Sequence, residues 1–258
     1  MLSDLNSVSH TTKMHKLLSK SHNNMLGTLL KDDGTYSKDV DEVLIELAKA
    51  HFPGRSTDKP SNQTIDVNVS STESEGIFTD EVIKWALVSF GPFKSAGVDE
   101  IFPALLQKTK DVMVPILKAI FIKSHAWGYI PICWRKVKVI YIPKAGKKPS
   151  YEAKSYRPIS LSSFCLKTME RILDRHIRDN VLKVNPLHHS QFAYQEGKST
   201  EAALKKLVNA IKKNYKNFVL GAFIDIAGAF DNTSHESIKR AMDRKGVDRK
   251  TTPKIFYW

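Results

Sequence analysis

The sequence predicts an α+β fold, rich in helix and carrying a small, mostly antiparallel sheet. Three observations predict it. Amphipathic helical patterns recur along the chain, and two extended segments are joined by a Gly/Lys/Pro loop over 145–150. An apolar run from Phe218 to Ile224 is too short for a membrane span, and its β-branched and aromatic content reads as a buried strand. The 258 residues suffice for one large domain or two small ones, and the best internal boundary is the Pro/Gly/Ser-rich stretch 53–76. Residues 1–75 are expected to form a polar N-terminal extension with one helix and a linker, and residues 76–258 the main domain.

Apolar (41%) and charged (26%) contents are those of an ordinary soluble protein. The net charge of +13 and the pI near 9.6 are not, and they point to a polyanionic partner, most simply nucleic acid, with solubility alone as the other reading. The two cysteines, Cys133 and Cys165, lie among apolar neighbours without metal-ligand spacing, which argues against disulfide scaffolds and zinc ribbons. With no signal-peptide pattern and no bilayer-length apolar stretch, the expected setting is intracellular, with no membrane partner.

In chain order, Lys31-Asp-Asp-Gly34 signals a turn, and Ser37 is the expected cap of a helix with Val40, Val43, Leu44, Leu47 and Ala48 on its apolar face. Thr79 caps a second helix, with Val82, Ile83, Ala86, Leu87 and Phe90 inward and Gly91-Pro92 at its end. A loop over 93–101 precedes helices near 102–109 and 111–127, the latter with Met113, Ile116, Leu117, Ile120 and Phe121 inward. Trp134 to Lys144 alternates basic and apolar residues and then turns apolar, as a strand with one wet, positive face would. Ser155 to Leu161 forms its extended companion. A helix capped near Ser162 or Ser163 follows, with Cys165, Leu166, Met169, Ile172, Leu173 and Ile177 apolar. A loop carrying His188 and His189 leads to a helix over about 200–216 and then to the apolar run. Ser234 caps a last helix that ends at Gly246.

Three features carry chemistry. Lys144 and Arg157 stand at or near the ends of the two extended segments; a point charge and a planar fork of donors both suit phosphate oxygens, although such residues are also ordinary surface charges. Asp225 ends the apolar run. It is either a solvated strand end or a ligand for a hard cation such as Mg²⁺, with the Ile226 carbonyl as a second oxygen. Gly228-Ala229 lets backbone amides approach a triphosphate, and Phe230 is either a core ring or one that stacks under a sugar. The adjacent His188 and His189 have no third ligand in view and read as loop histidines.

The ordered pattern of Trp134, Ile142-Pro-Lys144, Ser155-Tyr-Arg-Pro-Ile-Ser-Leu161, Lys167, Glu170-Arg-Ile172, Gln191-Phe192, Gly197, Ser199-Thr200 and Phe223-Ile-Asp-Ile226 with Gly228-Ala-Phe-Asp231 resembles the reverse transcriptase domain of non-LTR, jockey-like retrotransposons. Lys94-Ser-Ala-Gly-Val-Asp99 resembles a loop upstream in that family. The resemblance spans about 76–250. It implies right-hand polymerase fingers plus a partial palm. Lys144 and Arg157 would grip the incoming deoxynucleoside triphosphate, and Asp225 would be a catalytic metal ligand. Gly228 and Ala229 would touch the nucleotide, and Phe230 would exclude a ribose 2′-hydroxyl. Gln191 and the Gly197–Thr200 turn, with Lys198, would lie near the template. The implied cofactor is Mg²⁺, and the implied partners are an RNA template and a DNA primer.

Departures accompany the match. Ala227 stands where the family commonly has an acidic residue, and Ala193-Tyr194-Gln195 stands where it has Gly-Phe-Arg. No Asp-Asp pair follows Asp225. The expectation is a fragment truncated after the first palm motif, without thumb or upstream endonuclease and inactive or nearly so alone. A non-catalytic basic RNA-binding module and a decayed element fragment are the alternatives. An RNase H-like nuclease also places Asp on a buried strand, but it leaves Lys144 and Arg157 without a role.

Overall fold

The computed structural model describes residues 27–52, 71–144, 151–214, 216, 218–226, 228–229 and 233–247. The architecture is α+β and helix-rich with a small antiparallel sheet, as the sequence predicts. The described residues fall into two compact units, one running through Arg175 and one beginning at His176.

The first unit opens with a turn over Lys31–Gly34 closed by a bridge between Leu30 and Tyr36. Helix α1 (Val40–His51) is capped by Asp39, whose Oδ1 accepts from the Glu42 amide at 2.8 Å, and not by Ser37 as expected. Ser37 is buried, and its Oγ instead accepts from the Leu29 amide at 2.8 Å. A buried amide needs a partner, and this one lies eight residues away. Val43 and Leu47 are buried with Leu29 against Tyr156, whereas Val40 and Leu44 are exposed.

Residues 71–76, expected to finish a linker, belong to α2 (Ser71–Ile77). Helix α3 (Asp80–Val88) starts as predicted, with Thr79 Oγ1 accepting from the Val82 amide at 3.3 Å. Helices α4 (Pro103–Lys108) and α5 (Lys110–Trp127) follow, and Gly128 ends α5 in the left-handed conformation (φ 61°) that a side chain would resist. Val114, Leu117 and Phe121 face the core, while Ile116, expected inward, is exposed. Phe121 centres an aromatic chain, 5.6 Å from the Phe78 ring and 6.0 Å from Trp134. That packing explains a second departure. Trp134 and Arg135, expected to begin the strand, belong to a short helix, α6 (Ile132–Arg135), and this helical turn after Pro131 buries Trp134 on Phe121.

Strand β1 (Lys138–Pro143) pairs antiparallel with β2 (Tyr156–Leu161), with Ile142 opposite Arg157 and Pro143 opposite Tyr156. Side chains opposite each other share a face, so Lys138, Ile140, Ile142, Arg157, Ile159 and Leu161 line one side. Tyr156, Pro158 and Tyr141 line the other, where Tyr156 is buried against α1.

The Ser162–Ser163 junction after β2 is covered by Gly97. A Cβ at Gly97 would meet the Ser162 carbonyl carbon at 2.8 Å and the Ser163 nitrogen at 3.0 Å, so only glycine fits. Helix α7 (Phe164–Ile177) buries Leu166, Met169, Ile172 and Leu173 in the core shared with α3 and α5. Burial pushes the Cys165 thiol up to about 11, which leaves it inert. A π-helical turn, Arg178–Leu182, continues α7.

In the second unit, α8 (Thr200–Lys213) starts where expected, is capped by Ser199 and ends short of the expected 216, while α9 (His235–Lys245) is capped by Ser234 with Gly246 left-handed at its end, both as predicted. The apolar run departs most from expectation. Residues 218–226 form no strand, and Phe218, Leu220, Phe223 and Ile224 are almost fully exposed. A buried strand needs neighbours for its backbone groups, and the ladder among the described residues is that of β1 with β2.

Candidate functional site

In the first unit the chemistry centres on the ribbon. The Lys144 amide donates to the Ser155 carbonyl at 2.9 Å, extending the ladder by one position. Lys144 thereby shares the face of Ile142 and of the directly opposite Arg157, as a diagonal neighbour roughly 7 Å away at Cβ. The Lys144 ammonium donates one hydrogen bond, to the Lys154 carbonyl at 2.6 Å, and an ammonium has three donors. Arg157 is exposed. One ribbon face thus holds a planar fork and a point charge side by side, which suits a polyphosphate.

Lys167, Glu170 and Arg171 serve packing as well as charge. Lys167 lies over the Phe164 ring at 4.5 Å, Arg171 over Phe90 at 4.0 Å and Arg175 over Trp85 at 4.3 Å. These three cations, spaced by four residues, form one stripe of α7, and two of them clasp aromatic rings of the α3 region. Burial lowers the Lys167 ammonium and raises the Glu170 carboxyl, and the attraction between them opposes both shifts.

In the second unit the loop before α8 is stitched by side chains. Lys198 Nζ donates to the carbonyls of His189 (3.0 Å) and Gln191 (2.8 Å) and lies 5.4 Å from the Phe192 ring. Lys206 Nζ donates to Ser190 Oγ at 3.0 Å and lies 5.6 Å from the same ring. Gln195 Nε2 donates to the Gln191 carbonyl at 2.8 Å. The His188 and His189 rings lie 4.3 Å apart at a 40° tilt, and electrostatic repulsion from His188, then from Lys206, holds His189 below the usual imidazole range. Arg178 Nη1 donates to the Tyr194 carbonyl at 2.8 Å.

Residues 142–257 match the family model described as reverse transcriptase (RNA-dependent DNA polymerase). Over these residues the chain is similar to reverse transcriptases. The chain is 32% identical over 164 residues to the RNA-directed DNA polymerase from mobile element jockey of Drosophila melanogaster, covering 62% of this chain and 18% of that relative. It is 29% identical over 164 residues to the "Probable RNA-directed DNA polymerase from transposon BS" of the same fly, covering 63% and 18%. It is 28% identical over 137 residues to the Pol polyprotein from type-1 retrotransposable element R2 of Popillia japonica, covering 51% and 18%. The chain thus spans about a fifth of the length of these non-LTR retrotransposon relatives.

Every candidate site residue falls within the segment that matches the family model. Lys144 and Arg157 sit in the first unit, and Gln191, Lys198, Asp225, Ile226, Gly228 and Ala229 in the second. Gly228 adopts the left-handed conformation (φ 60°), and the Ala229 carbonyl accepts from Thr233 Oγ1 at 2.6 Å. Ala227, Phe230 and Asp231 lie outside the described residues. Reverse transcriptases as a family use Mg²⁺. Asp225 offers one hard carboxylate and Ile226 a carbonyl, both exposed, and among the described residues no group of three His, Cys, Asp or Glu side chains could hold a metal. One exposed carboxylate cannot by itself hold a two-ion site. No helix among them is long and apolar enough to cross a membrane.

Sequence reasoning missed Lys206, Arg178 and Tyr194. Lys206 reads as a routine solvent-facing helix residue, and nothing in the sequence marks a tyrosine for left-handed backbone.

Proposed function

We propose that the chain acts as the fingers and first palm segment of an RNA-directed DNA polymerase of the non-LTR retrotransposon kind. It would help add deoxynucleotides to a DNA primer on an RNA template. The observation that carries this reading is the shared ribbon face of Lys144 and Arg157. Both would bind oxygens of the incoming triphosphate. Asp225 and the Ile226 carbonyl would hold Mg²⁺, which when bound neutralises phosphate charge. As the family resemblance implies, Gly228 and Ala229 would touch the nucleotide, Phe230 would discriminate at its sugar, and Gln191 and Lys198 would border the template. In the reaction the primer 3′-oxygen bonds to the α-phosphorus and pyrophosphate leaves. The part of these residues is to position the triphosphate and balance its charge.

Calorimetric titration of the 258-residue chain with dTTP tests the grip. Lys144→Ala and Arg157→Ala should each weaken binding by about tenfold or more, the value of a charge-assisted hydrogen bond. Unchanged affinity in both would sink the assignment.

A second reading, a non-catalytic RNA-holding module, is favoured by the net charge of +13 and by the exposed setting of Asp225. Binding of dTTP in the presence of Mg²⁺ separates the two. Mg²⁺-dependent dTTP binding weakened in Asp225→Ala supports the first, and salt-sensitive RNA binding indifferent to that change, without dTTP binding, supports the second.

A further inference from the structure

We infer that Tyr194 is a stacking platform for an unpaired base of a single-stranded nucleic acid, with Arg178 as its positioning residue. The inference rests on the reading that this chain holds a template strand. It starts from the backbone. Tyr194 has φ 59°, a left-handed conformation that a bulky aromatic residue adopts only when its surroundings impose it. The imposing contact is the Arg178 guanidinium, which donates to the Tyr194 carbonyl at 2.8 Å from the π-helical turn that continues α7. The ring gains no burial from this, since Tyr194 is 72% exposed. A tyrosine that served only the fold would be tucked in.

Phe192, two residues away, makes the contrast. Lys198 and Lys206 lie against its ring at 5.4 and 5.6 Å, and among the described residues no ring or cation packs on Tyr194. The loop spends one aromatic on its own packing and presents the other bare. The same loop and the helix that follows it carry Lys198, Lys206, His188 and His189, against a single loop carboxylate, Glu196. Both ammoniums bond to neutral oxygens, which leaves their charge for an anion. A bare ring beside uncompensated cations is the arrangement that takes an unpaired base on its face and the backbone phosphates at its side. A ring face accepts any base, so this contact carries little sequence preference.

The test is fluorescence anisotropy of the 258-residue chain with a labelled single-stranded RNA 12-mer, at several salt concentrations. Tyr194→Ala should weaken binding roughly 5- to 150-fold with the salt slope unchanged, because stacking and not charge is lost. Tyr194→Phe should stay within about twofold. Tyr194→Gly relaxes the backbone but lacks the ring, so it should bind as weakly as Tyr194→Ala while melting no lower than the parent. If the parent binds RNA and Tyr194→Ala binds equally well, the platform is overturned and the template-holding reading stands. If the parent binds no RNA even at low salt, both fall. A loss in Tyr194→Phe as large as in Tyr194→Ala would assign the contact to the hydroxyl and overturn stacking.

Discussion

Glu170 is half-buried on α7 one turn from Lys167, and burial moves each toward its neutral form. For the carboxyl the folded value lies above the ordinary one. Its contribution to stability is therefore fully present below the ordinary carboxylate range and is lost as pH rises through the raised value. Glu170→Gln should remove that loss. The variant should gain stability over the parent in urea unfolding at pH 7 and match it near pH 4. An equal difference at both pH values would show that burial of the ionised group is not its source. At this scale the motif residues gain a second meaning. Arg171 belongs to the family pattern, yet here it packs on Phe90 and donates to Ser89 Oγ, so its presence is accounted for by the α3–α7 interface.

At the scale of elements, the loop before α8 shows how little backbone pairing a fixed conformation requires. Its shape is held by Lys198, Gln195, Lys206 and Arg178 donating to carbonyls and a hydroxyl. Lys198→Met keeps the aliphatic stem and removes the donors. It should raise amide hydrogen exchange across 189–195 while leaving the α3, α5 and α7 amides protected; unchanged exchange there would mean that the carbonyl bonds do not hold the loop. The elements that sequence reasoning located were those decided by near neighbours. Thr79, Ser234 and Gly246 cap helices within a few residues of themselves, so their roles were legible. Ser37, Ile116 and Trp134 were misread because distant partners decide them: Leu29 for the first, and the Phe121 aromatic cluster for the last. The candidate site divides in the same way. Lys144 and Arg157 were legible as residue types, but their common face follows from a register that the loop between them does not specify. The inward turn of Lys198 and the left-handed Tyr194 leave no trace in the sequence pattern.

Taken whole, the molecule combines strong positive charge with a large exposed apolar surface in its second unit. Phe218, Leu220, Phe223 and Ile224 are open to solvent, and α8 exposes Leu204, Leu207, Val208 and Ile211 along one stripe. Exposed apolar surface of this kind drives association, and a charge of +13 opposes it at low ionic strength. Salt screens the repulsion and leaves the apolar attraction in place. The chain should therefore self-associate more as salt rises, by light scattering, and Phe223→Asp should suppress that rise without lowering the melting temperature. Scattering that falls with salt would show charge pairing to be the cause instead.

Gly97 turns the fold into a statement about what mutation can reach. It lies in a loop whose neighbours Ser95 and Val98 are exposed and can exchange freely, and loops as a rule accept variety. Yet every other residue brings a Cβ into the Ser162–Ser163 backbone, so the position has no conservative replacement. Any route by which this sequence drifts while keeping its fold must pass around that one codon, and a saturation library would show a single blank column in an otherwise permissive stretch.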